Sequence, residues 1–228
     1  MSSKVKPRVL LLKPGRTSSR AVLGDYEVWF SRTMGAEMVP VELHEGETPP
    51  PAKNFDAVVM TGSPLSVTQR TDWMDAASNY LVEAADRGTR VLGVCFGHQL
   101  LAWRHGAEVV KNPHGRELGT VTVELTKAGR ASPLFEGFPV RFEVQATHED
   151  VVEQADAPMN VLARNAMAAV QAFQVGPRSF GVQFHPEMDA TSIQFCIDSK
   201  DTKAGDRQKA VARETPFGER LLRRFLEL

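Results

Sequence analysis

The sequence of 228 residues lacks several features that mark particular classes of protein. It has no excess of charge of either sign, because 27 lysines and arginines stand against 28 aspartates and glutamates. Proteins that mainly grip nucleic acid carry a basic excess or a basic stripe, so we expect no nucleic-acid partner. No apolar run approaches the length of about 20 residues needed to cross a bilayer, and no signal-peptide cleavage site follows the N-terminus. We therefore expect no membrane partner.

Cysteine is also scarce, with only Cys95 and Cys196 in the chain. Two cysteines cannot build a disulfide framework or a four-cysteine zinc site, and a reducing cytoplasm is the default location for such a chain. The glycine-rich patterns GxGxxG and GxxxxGK[ST], which bind phosphate groups, do not occur. We therefore expect a cytoplasmic protein without a metal ion or a cofactor.

The first half of the sequence alternates short apolar runs with segments of helical spacing. The pattern predicts strands at residues 8–13, 37–43, 56–60 and 90–94, and helices at residues 21–34, 72–87 and 96–105. This alternation is typical of a parallel sheet with helices on its faces.

After Gly119 the pattern changes to successive strands with little helix between them. Strands are predicted at residues 120–125, 140–144, 161–164, 168–174 and 179–184, which indicates an antiparallel extension of the sheet. Residues 190–228 look helical, although the charged stretch at 193–213 fits either an exposed helix pair or a mobile insertion. We expect one α/β domain over residues 1–228, with an open, mostly parallel, flavodoxin-like sheet flanked by helices.

The candidate chemistry is concentrated at Cys95. An apolar strand runs directly into this residue, a helical segment follows it, and Gly93 and Gly97 stand two residues to either side. This arrangement is typical of a nucleophile elbow, in which flanking glycines allow backbones to approach closely. The positive end of the helix favours a thiolate, and the N–H of Phe96 would point toward a developing oxyanion.

A thiolate nucleophile needs an imidazole, and the imidazole needs an acceptor that orients it. His185 ends a predicted strand, and Glu187 lies two residues further, on the same side of an extended backbone. Pro186 between them fixes one backbone angle. The sequence therefore predicts a catalytic triad of Cys95, His185 and Glu187.

The motifs GVCFGHQ at Cys95 and FHPE at His185 resemble those of the class I glutamine amidotransferases. The resemblance implies that glutamine or a related γ-glutamyl amide is the substrate. Cys95 would form a γ-glutamyl thioester, and its hydrolysis would release glutamate after ammonia has left. His185 would transfer the protons, oriented by Glu187.

The tripeptide Gly62-Ser63-Pro64 resembles the Gly-Gly-Pro oxyanion loop of that family, with Ser63 in place of the second glycine. A positive φ would cost serine energy that glycine avoids, so we expect strain at this position. The Gly-Ser-Pro form resembles stand-alone members of the family, namely the bacterial GMP-synthase-like amidotransferases and the plant γ-glutamyl peptidases.

The resemblance also implies the remaining site residues. The N–H groups of Ser63 and Phe96 would form the oxyanion hole, and Gly62 and Gln99 would contact the substrate. Residues 147–150 resemble the family's Ser-His-x-Asp segment beside the glutamine pocket, which adds two further substrate-binding candidates, His148 and Asp150. The alternative is that Gln99 is an ordinary polar helix residue and that the other two are surface residues of a loop.

Three functions remain open at this stage. The chain either supplies ammonia to a separate synthetase or acts alone as a γ-glutamyl peptide hydrolase. The third possibility is a non-catalytic regulatory subunit on the same fold, which an intact Cys–His–Glu set argues against. The sequence holds no nucleotide-binding motif, so we expect any synthesis to require a synthetase partner.

Overall fold

The computed structural model describes residues 6–199 and 202–228, which form eleven strands and eight α-helices. The strands are β1 (Arg8–Lys13), β2 (Glu37–Glu42), β3 (Ala57–Met60), β4 (Arg90–Val94), β5 (Val109–Lys111), β6 (Glu117–Leu125), β7 (Arg141–His148), β8 (Asp150–Val152), β9 (Asn160–Arg164), β10 (Ala172–Val175) and β11 (Ser179–Val182). The helices are α1 (Arg20–Leu23), α2 (Tyr26–Met34), α3 (Asp72–Asp86), α4 (Phe96–Arg104), α5 (Lys127–Ala131), α6 (Ala190–Asp198), α7 (Ala204–Lys209) and α8 (Phe217–Glu227).

Nine of the strands form one sheet in the order β2-β1-β3-β4-β11-β10-β9-β6-β7. The neighbours from β2 to β11 are parallel, and those from β11 to β7 are antiparallel. The five parallel strands follow the 2-1-3-4-5 order of flavodoxin-like folds. The predicted α/β class, parallel sheet and antiparallel extension are therefore confirmed.

Helices cover both faces of the parallel strands, which explains why these strands are almost continuously apolar. Successive residues of β1 enter different cores: Val9 and Leu11 pack in the same cluster as residues of α2 and α8, whereas Leu10 and Leu12 pack in the cluster that holds residues of α3 and α4. Within the described ranges, no helix combines the length and apolar composition that a membrane crossing needs.

The carboxyl end of β1 is fixed by Lys13, which is only 1% exposed. Its ammonium group lies 2.9 Å from Asp25, 2.7 Å from Glu27 and 2.7 Å from Glu42. Burial by itself lowers the pKa of Lys13, but the hydrogen bonds that its ammonium group donates to the three carboxylates outweigh this effect and raise that pKa above its ordinary value. One cation therefore joins the end of β1, the start of α2 and the end of β2.

Several predicted boundaries are wrong. The helix expected at residues 21–34 is divided into α1 and α2, because Gly24 has a φ of +81° that no α-helix contains. The strand expected at 168–174 begins only at Ala172, and the three-residue strands β5 and β8, which pair with each other, were not predicted.

The charged stretch at 193–213 contains the second half of α6, all of α7 and a segment after α7. Residues 200 and 201 lie outside the described residues. Residues 210–216 are not helical, contrary to the prediction, and run beside the antiparallel strands. Thr120 donates its N–H to the Val211 carbonyl at 2.6 Å, and the Gln145 amide donates to the Arg213 carbonyl at 2.7 Å. This segment leads the chain into α8.

Candidate active site

Cys95 occupies the sharp turn between β4 and α4. Its backbone angles are φ +50° and ψ −99°, a left-handed conformation that costs a non-glycine residue about 1–3 kcal/mol. The turn is held on both sides, because the Cys95 N–H donates to the Val182 carbonyl at 2.9 Å and the Gln99 N–H donates to the Cys95 carbonyl at 3.0 Å. The surrounding hydrogen bonds thus hold Cys95 in its strained conformation at the carboxyl edge of the sheet.

The two glycines that flank Cys95 are required by close backbone contacts. A Cβ atom on Gly93 would lie 2.4 Å from the carbonyl oxygen of Gly97, and one on Gly97 would lie 2.5 Å from the carbonyl oxygen of Met60. Backbone atoms cannot move aside as a flexible side chain can. Strands β3 and β4 and the first turn of α4 are therefore packed as one unit beneath Cys95.

His185 and Glu187 form a buried pair just beyond β11. The Nδ1 atom of His185 lies 2.8 Å from Oε1 of Glu187, and their side chains are 4% and 0% exposed. The second ring nitrogen, Nε2, is buried and, apart from Cys95, has no hydrogen-bond partner among the described residues. One nitrogen of the imidazole is thus held by Glu187 while the other is left to face the thiol.

The backbone of this pair is supported from two sides. The His185 N–H donates to the carbonyl of Gln145 in β7 at 2.8 Å. On the other side Pro186 lies against the first turn of α8, where a Cβ atom on Gly218 would be 2.4 Å from the Pro186 carbonyl oxygen. Both contacts come from the antiparallel and C-terminal parts of the chain.

Gly62 lies where the imidazole and the thiol meet. A Cβ atom at this position would lie 2.8 Å from Cε1 of His185, 3.6 Å from Nε2 of the same ring and 3.5 Å from Cβ of Cys95. Cys95 and the Nε2 nitrogen of His185 therefore border the same small space. The structure brings Cys95, His185, Glu187 and the loop at residues 61–66 together.

The charges in this space act on the pKa of His185. Burial by itself would lower it, but the negative charges of Glu187 and Cys95 raise the pKa of His185 well above its ordinary value of 6.5. The arrangement favours an imidazolium between two negative partners. This is the charge state that a thiolate–imidazolium pair requires.

The strain expected at Ser63 is absent. Among the residues that the structure describes, the non-glycine residues with positive φ are Arg70 and Cys95. Glycine is therefore required in this loop at Gly62, because of the His185 ring, and not at the next position. Phe96, the other predicted oxyanion-hole residue, opens α4, where N–H groups of the first turn have no acceptor within the helix.

Gln99, His148 and Asp150 belong to one hydrogen-bond network. The Gln99 amide donates to the Asp150 carbonyl at 2.8 Å, and the same carbonyl lies 3.1 Å from Nδ1 of His148. The alternative, that these two are surface residues of a loop, does not hold, because His148 ends β7, Asp150 starts β8, and the imidazole is buried. Their contact with substrate remains a prediction.

Glu117, the acceptor at the centre of this network, was not predicted from the sequence. Its buried carboxylate lies 2.9 Å from Nε2 of His148 and accepts hydrogen bonds from Asn165 at 2.6 Å and Gln171 at 2.7 Å. The predicted strand began three residues later, at Thr120. An acidic residue just before the apolar and threonine-rich run at residues 118–123 was the available signal.

Two further side chains near the site have ordinary structural surroundings. The ring of His98 is fully buried against Phe173, with ring centroids 4.9 Å apart, and burial lowers its pKa to about 3. The half-buried thiol of Cys196 lies in α6, and burial raises its pKa. Among the described residues, no group of three or more histidine, cysteine or acidic side chains is arranged to hold a metal ion.

Residues 29–195 match the class-I glutamine amidotransferase family. The chain is 37% identical over 158 residues to a GMP synthase [glutamine-hydrolyzing] of Aeropyrum pernix, covering 68% of this chain but only 28% of that protein. It is 34% identical over 140 residues to one of the subunits of the GMP synthase [glutamine-hydrolyzing] of Saccharolobus solfataricus, covering 61% and 71% of the two chains. It is 25% identical over 205 residues to gamma-glutamyl peptidase 4 of Arabidopsis thaliana, covering 87% and 82%.

The fold has close structural counterparts as well. A glutamine amidotransferase from Thermotoga maritima superposes with a TM-score of 0.77 at 21% identity, covering 98% of this chain and 99% of that one. The family match extends over more than half of the chain and includes both Cys95 and His185. This chain is an enzyme of the class-I glutamine amidotransferase family.

Proposed function

We propose that this enzyme hydrolyses the side-chain amide of glutamine, or of a related γ-glutamyl compound, through a thioester on Cys95. The observation that carries the proposal is the buried Nε2 of His185, which borders the same space as Cys95 while Glu187 holds Nδ1 at 2.8 Å. A nucleophile, a base and a group that orients the base are thereby adjacent.

In the first half of the reaction, the Cys95 thiolate attacks the amide carbonyl carbon. The oxyanion that forms accepts hydrogen bonds from the N–H groups of Ser63 and Phe96, and Gly62 leaves room for the reacting carbon. When the tetrahedral intermediate collapses, the C–N bond breaks and the imidazolium of His185 gives its proton to the leaving ammonia. The γ-glutamyl group is left on sulfur.

In the second half, His185 is neutral and accepts a proton from water as the water attacks the thioester. The C–S bond breaks, glutamate leaves and the thiolate–imidazolium pair is restored. Throughout, Glu187 fixes the tautomer and orientation of the imidazole. Gln99, His148 and Asp150 are proposed to shape the pocket for the rest of the substrate.

The fate of the ammonia separates two versions of this proposal. In the first, a separate synthetase consumes it, a version supported by similarity to GMP synthases, one of which consists of separate subunits. In the second, the enzyme acts alone as a γ-glutamyl peptide hydrolase, a version supported by the similarity to the Arabidopsis peptidase over 87% of this chain. In that case an amine replaces ammonia as the leaving group.

We further propose that residues 1–228 act as one domain in a reducing compartment such as the cytoplasm. One sheet includes strands from Arg8 to Val182, which supports the single domain. A catalytic thiol must stay reduced, and both Cys95 and Cys196 are free.

The two cysteines provide a matched test. The purified chain is incubated with glutamine and with a γ-glutamyl dipeptide while the release of ammonia, amine and glutamate is followed. We expect Cys95→Ser to lower kcat by about 10³-fold or more and Cys196→Ser to retain it. A thiol-directed γ-glutamyl analogue should label Cys95 faster than Cys196.

Retained turnover in Cys95→Ser would contradict the thioester mechanism, and equal labelling of the two cysteines would contradict the activation of Cys95. If neither substrate is hydrolysed, with or without a synthetase partner, the proposed function is wrong. Preference for the dipeptide over glutamine would select the stand-alone version.

A further inference from the structure

We propose that the side chain of Ser63 is a positioning group that orders the oxyanion loop from within this chain, without a contribution from a partner protein. The inference rests on the proposed function for its catalytic consequence. It assigns a role to the hydroxyl group, which is separate from the N–H proposed for the oxyanion hole. Glycine at this position would lack that group.

The Ser63 hydroxyl makes two contacts, one within its own loop and one with the loop that follows β1. Oγ of Ser63 accepts a hydrogen bond from the Leu65 N–H at 3.1 Å, which closes a tight turn around the exposed Pro64. It also lies 3.4 Å from the carbonyl oxygen of Pro14, to which it is a longer and weaker donor. One side chain thus joins the loop at residues 61–66 both to itself and to the loop that follows β1.

The Ser63 side chain packs closely against Gly15. A Cβ atom on Gly15 would lie 2.8 Å from Oγ of Ser63 and 3.1 Å from Cδ of Pro64. Gly15 has no positive φ, so its backbone conformation does not call for glycine. The space above Gly15 is occupied by the serine hydroxyl, and the two residues are complementary.

The segment around Pro14, which the Ser63 hydroxyl contacts, is itself held by several hydrogen bonds. Pro14 follows Lys13, whose ammonium group is held by three carboxylates, and one of these, Asp25, also accepts the Thr17 N–H at 3.1 Å. At the far end of the oxyanion loop, Ser66 donates its hydroxyl to the carboxylate of Asp150. The loop is therefore anchored at its far end and in its middle by this chain's own groups.

A loop ordered in this way has its N–H groups fixed before substrate arrives, which is the condition for electrostatic stabilisation of an oxyanion. Loss of the hydroxyl should affect the chemical step more than substrate binding. We expect Ser63→Ala and Ser63→Gly to lower kcat by about tenfold, with KM changed by less than about twofold.

Ser132 is a matched control. Its hydroxyl accepts the N–H of Leu134, again two residues further along the chain, at the start of a short 3-10 turn (Pro133–Phe135). Ser132→Gly therefore removes the same kind of turn contact in another part of the molecule. We expect it to keep the wild-type kcat, and a melting measurement on all variants will show how much each substitution affects folding.

Hydrogen exchange tests the ordering without relying on activity. Within residues 61–66 of the isolated wild-type chain, the Leu65 N–H that bonds to Oγ of Ser63 should exchange slowly, and Ser63→Ala and Ser63→Gly should make this segment exchange about fivefold faster. Ser132→Gly should leave it unchanged. If the wild-type segment already exchanges as fast as in the Ser63 variants, the inference is wrong, whatever the activity.

A double-mutant cycle tests the pairing with Gly15. Gly15→Ala should speed exchange in residues 61–66, because its new methyl group meets Oγ of Ser63. The same substitution should have a smaller effect in the Ser63→Ala background, where that atom is missing. Equal effects of Gly15→Ala in both backgrounds would overturn the pairing.

The possible outcomes separate the two proposals. If the wild-type chain hydrolyses no γ-glutamyl amide while its loop is protected and loses protection in the Ser63 variants, the ordering role holds and the proposed function fails. If the chain is active and the Ser63 variants match it in kcat and exchange, the ordering role fails and the proposed function holds.

Discussion

The molecule contains two buried histidine–glutamate pairs that look almost alike. His185 lies 2.8 Å from Glu187 and His148 lies 2.9 Å from Glu117, and each of the four side chains is at most 4% exposed. They differ at the second ring nitrogen. In His148 that nitrogen lies 3.1 Å from the Asp150 carbonyl, whereas in His185 it has no partner among the described residues other than Cys95 and borders the space beside that residue.

The difference shows that a buried pair of this type does not by itself identify an active site. The carboxylate of Glu117 accepts hydrogen bonds from Asn165 and Gln171 in addition to its contact with His148, so it joins several strands and loops. Glu187 has Oε2 buried without a hydrogen-bond partner among the described residues. The polar atoms of the His148–Glu117 pair are bonded to other groups of the protein, whereas the His185–Glu187 pair is left with unused bonding capacity.

The largest expected effect comes from making the same substitution in both pairs. Glu187→Gln should lower kcat by about 10²-fold, because the imidazole loses the negative charge that orients it and stabilises its protonated form. Glu117→Gln should instead lower the free energy of unfolding by about 2 kcal/mol, because an amide cannot accept all the hydrogen bonds of the carboxylate. Steady-state kinetics and denaturant unfolding on both variants check this.

The comparison would break if Glu117→Gln reduced kcat as strongly as Glu187→Gln in protein that remained folded. His148 would then belong to the reaction itself and not only to the fold. If Glu117→Gln failed to fold while a milder variant such as Asn165→Ala stayed active, the contrast between the roles of Glu117 and Glu187 would be strengthened.

A smaller effect is expected from the support behind His185. Gly218→Ala should lower kcat by about tenfold, because the new methyl group meets the Pro186 carbonyl and shifts the backbone between His185 and Glu187. Gly205→Ala is the matched control: Gly205 is likewise the second residue of a helix, and a Cβ atom there has no neighbour within 4 Å. Similar kinetics for the two variants would show that α8 does not position the pair.

The smallest expected change is in the titration of His185. Because the negative charges of Glu187 and Cys95 raise the pKa of His185, we expect Glu187→Gln and Cys95→Ala each to lower it. Nuclear magnetic resonance of the histidine rings can follow this. His98, with its pKa lowered to about 3, should stay neutral near pH 7 in every variant and provides the reference signal.

The raised pKa of His185 also determines whether the stability of the fold rises or falls with pH. A histidine whose folded-state pKa is raised stabilises the fold fully below its unfolded-state pKa, near 6.5, and loses that contribution as pH rises through the folded-state value. The wild type should therefore lose stability relative to Glu187→Gln as the pH is raised above 6.5. An unchanged difference between the two proteins across this range would contradict the raised pKa of His185.

The parallel half of the fold was readily predicted from the sequence. Strands buried on both faces appear as unbroken apolar runs, and the residue after Arg90–Val94 is followed at once by a helical pattern. The antiparallel half was harder, because strands such as Val109–Lys111 and Asp150–Val152 are three residues long and contain too few positions to show a period.

The site residues likewise divide into those that could be predicted from the sequence and those that could not. Cys95, His185 and Glu187 are connected by local rules, namely a strand-to-helix turn and an i, i+2 spacing in extended backbone. Glu117 and Gly218 act across long sequence separations, on His148 and on Pro186, and nothing near them in the sequence indicates these partners. Contacts of that kind are set by the tertiary fold.

Lys13 is shared by three acidic residues, so the fold is more sensitive to loss of the lysine than to loss of one of its partners. Any one of Asp25, Glu27 and Glu42 can be lost while the ammonium group keeps two partners. Loss of the lysine alone leaves three carboxylates facing one another at the edge of the sheet that carries the oxyanion loop. Substitution of Lys13 should therefore destabilise the fold more than substitution of Glu27 or Glu42, whereas Asp25 has a second role because it also accepts the N–H groups of Thr17 and Tyr26.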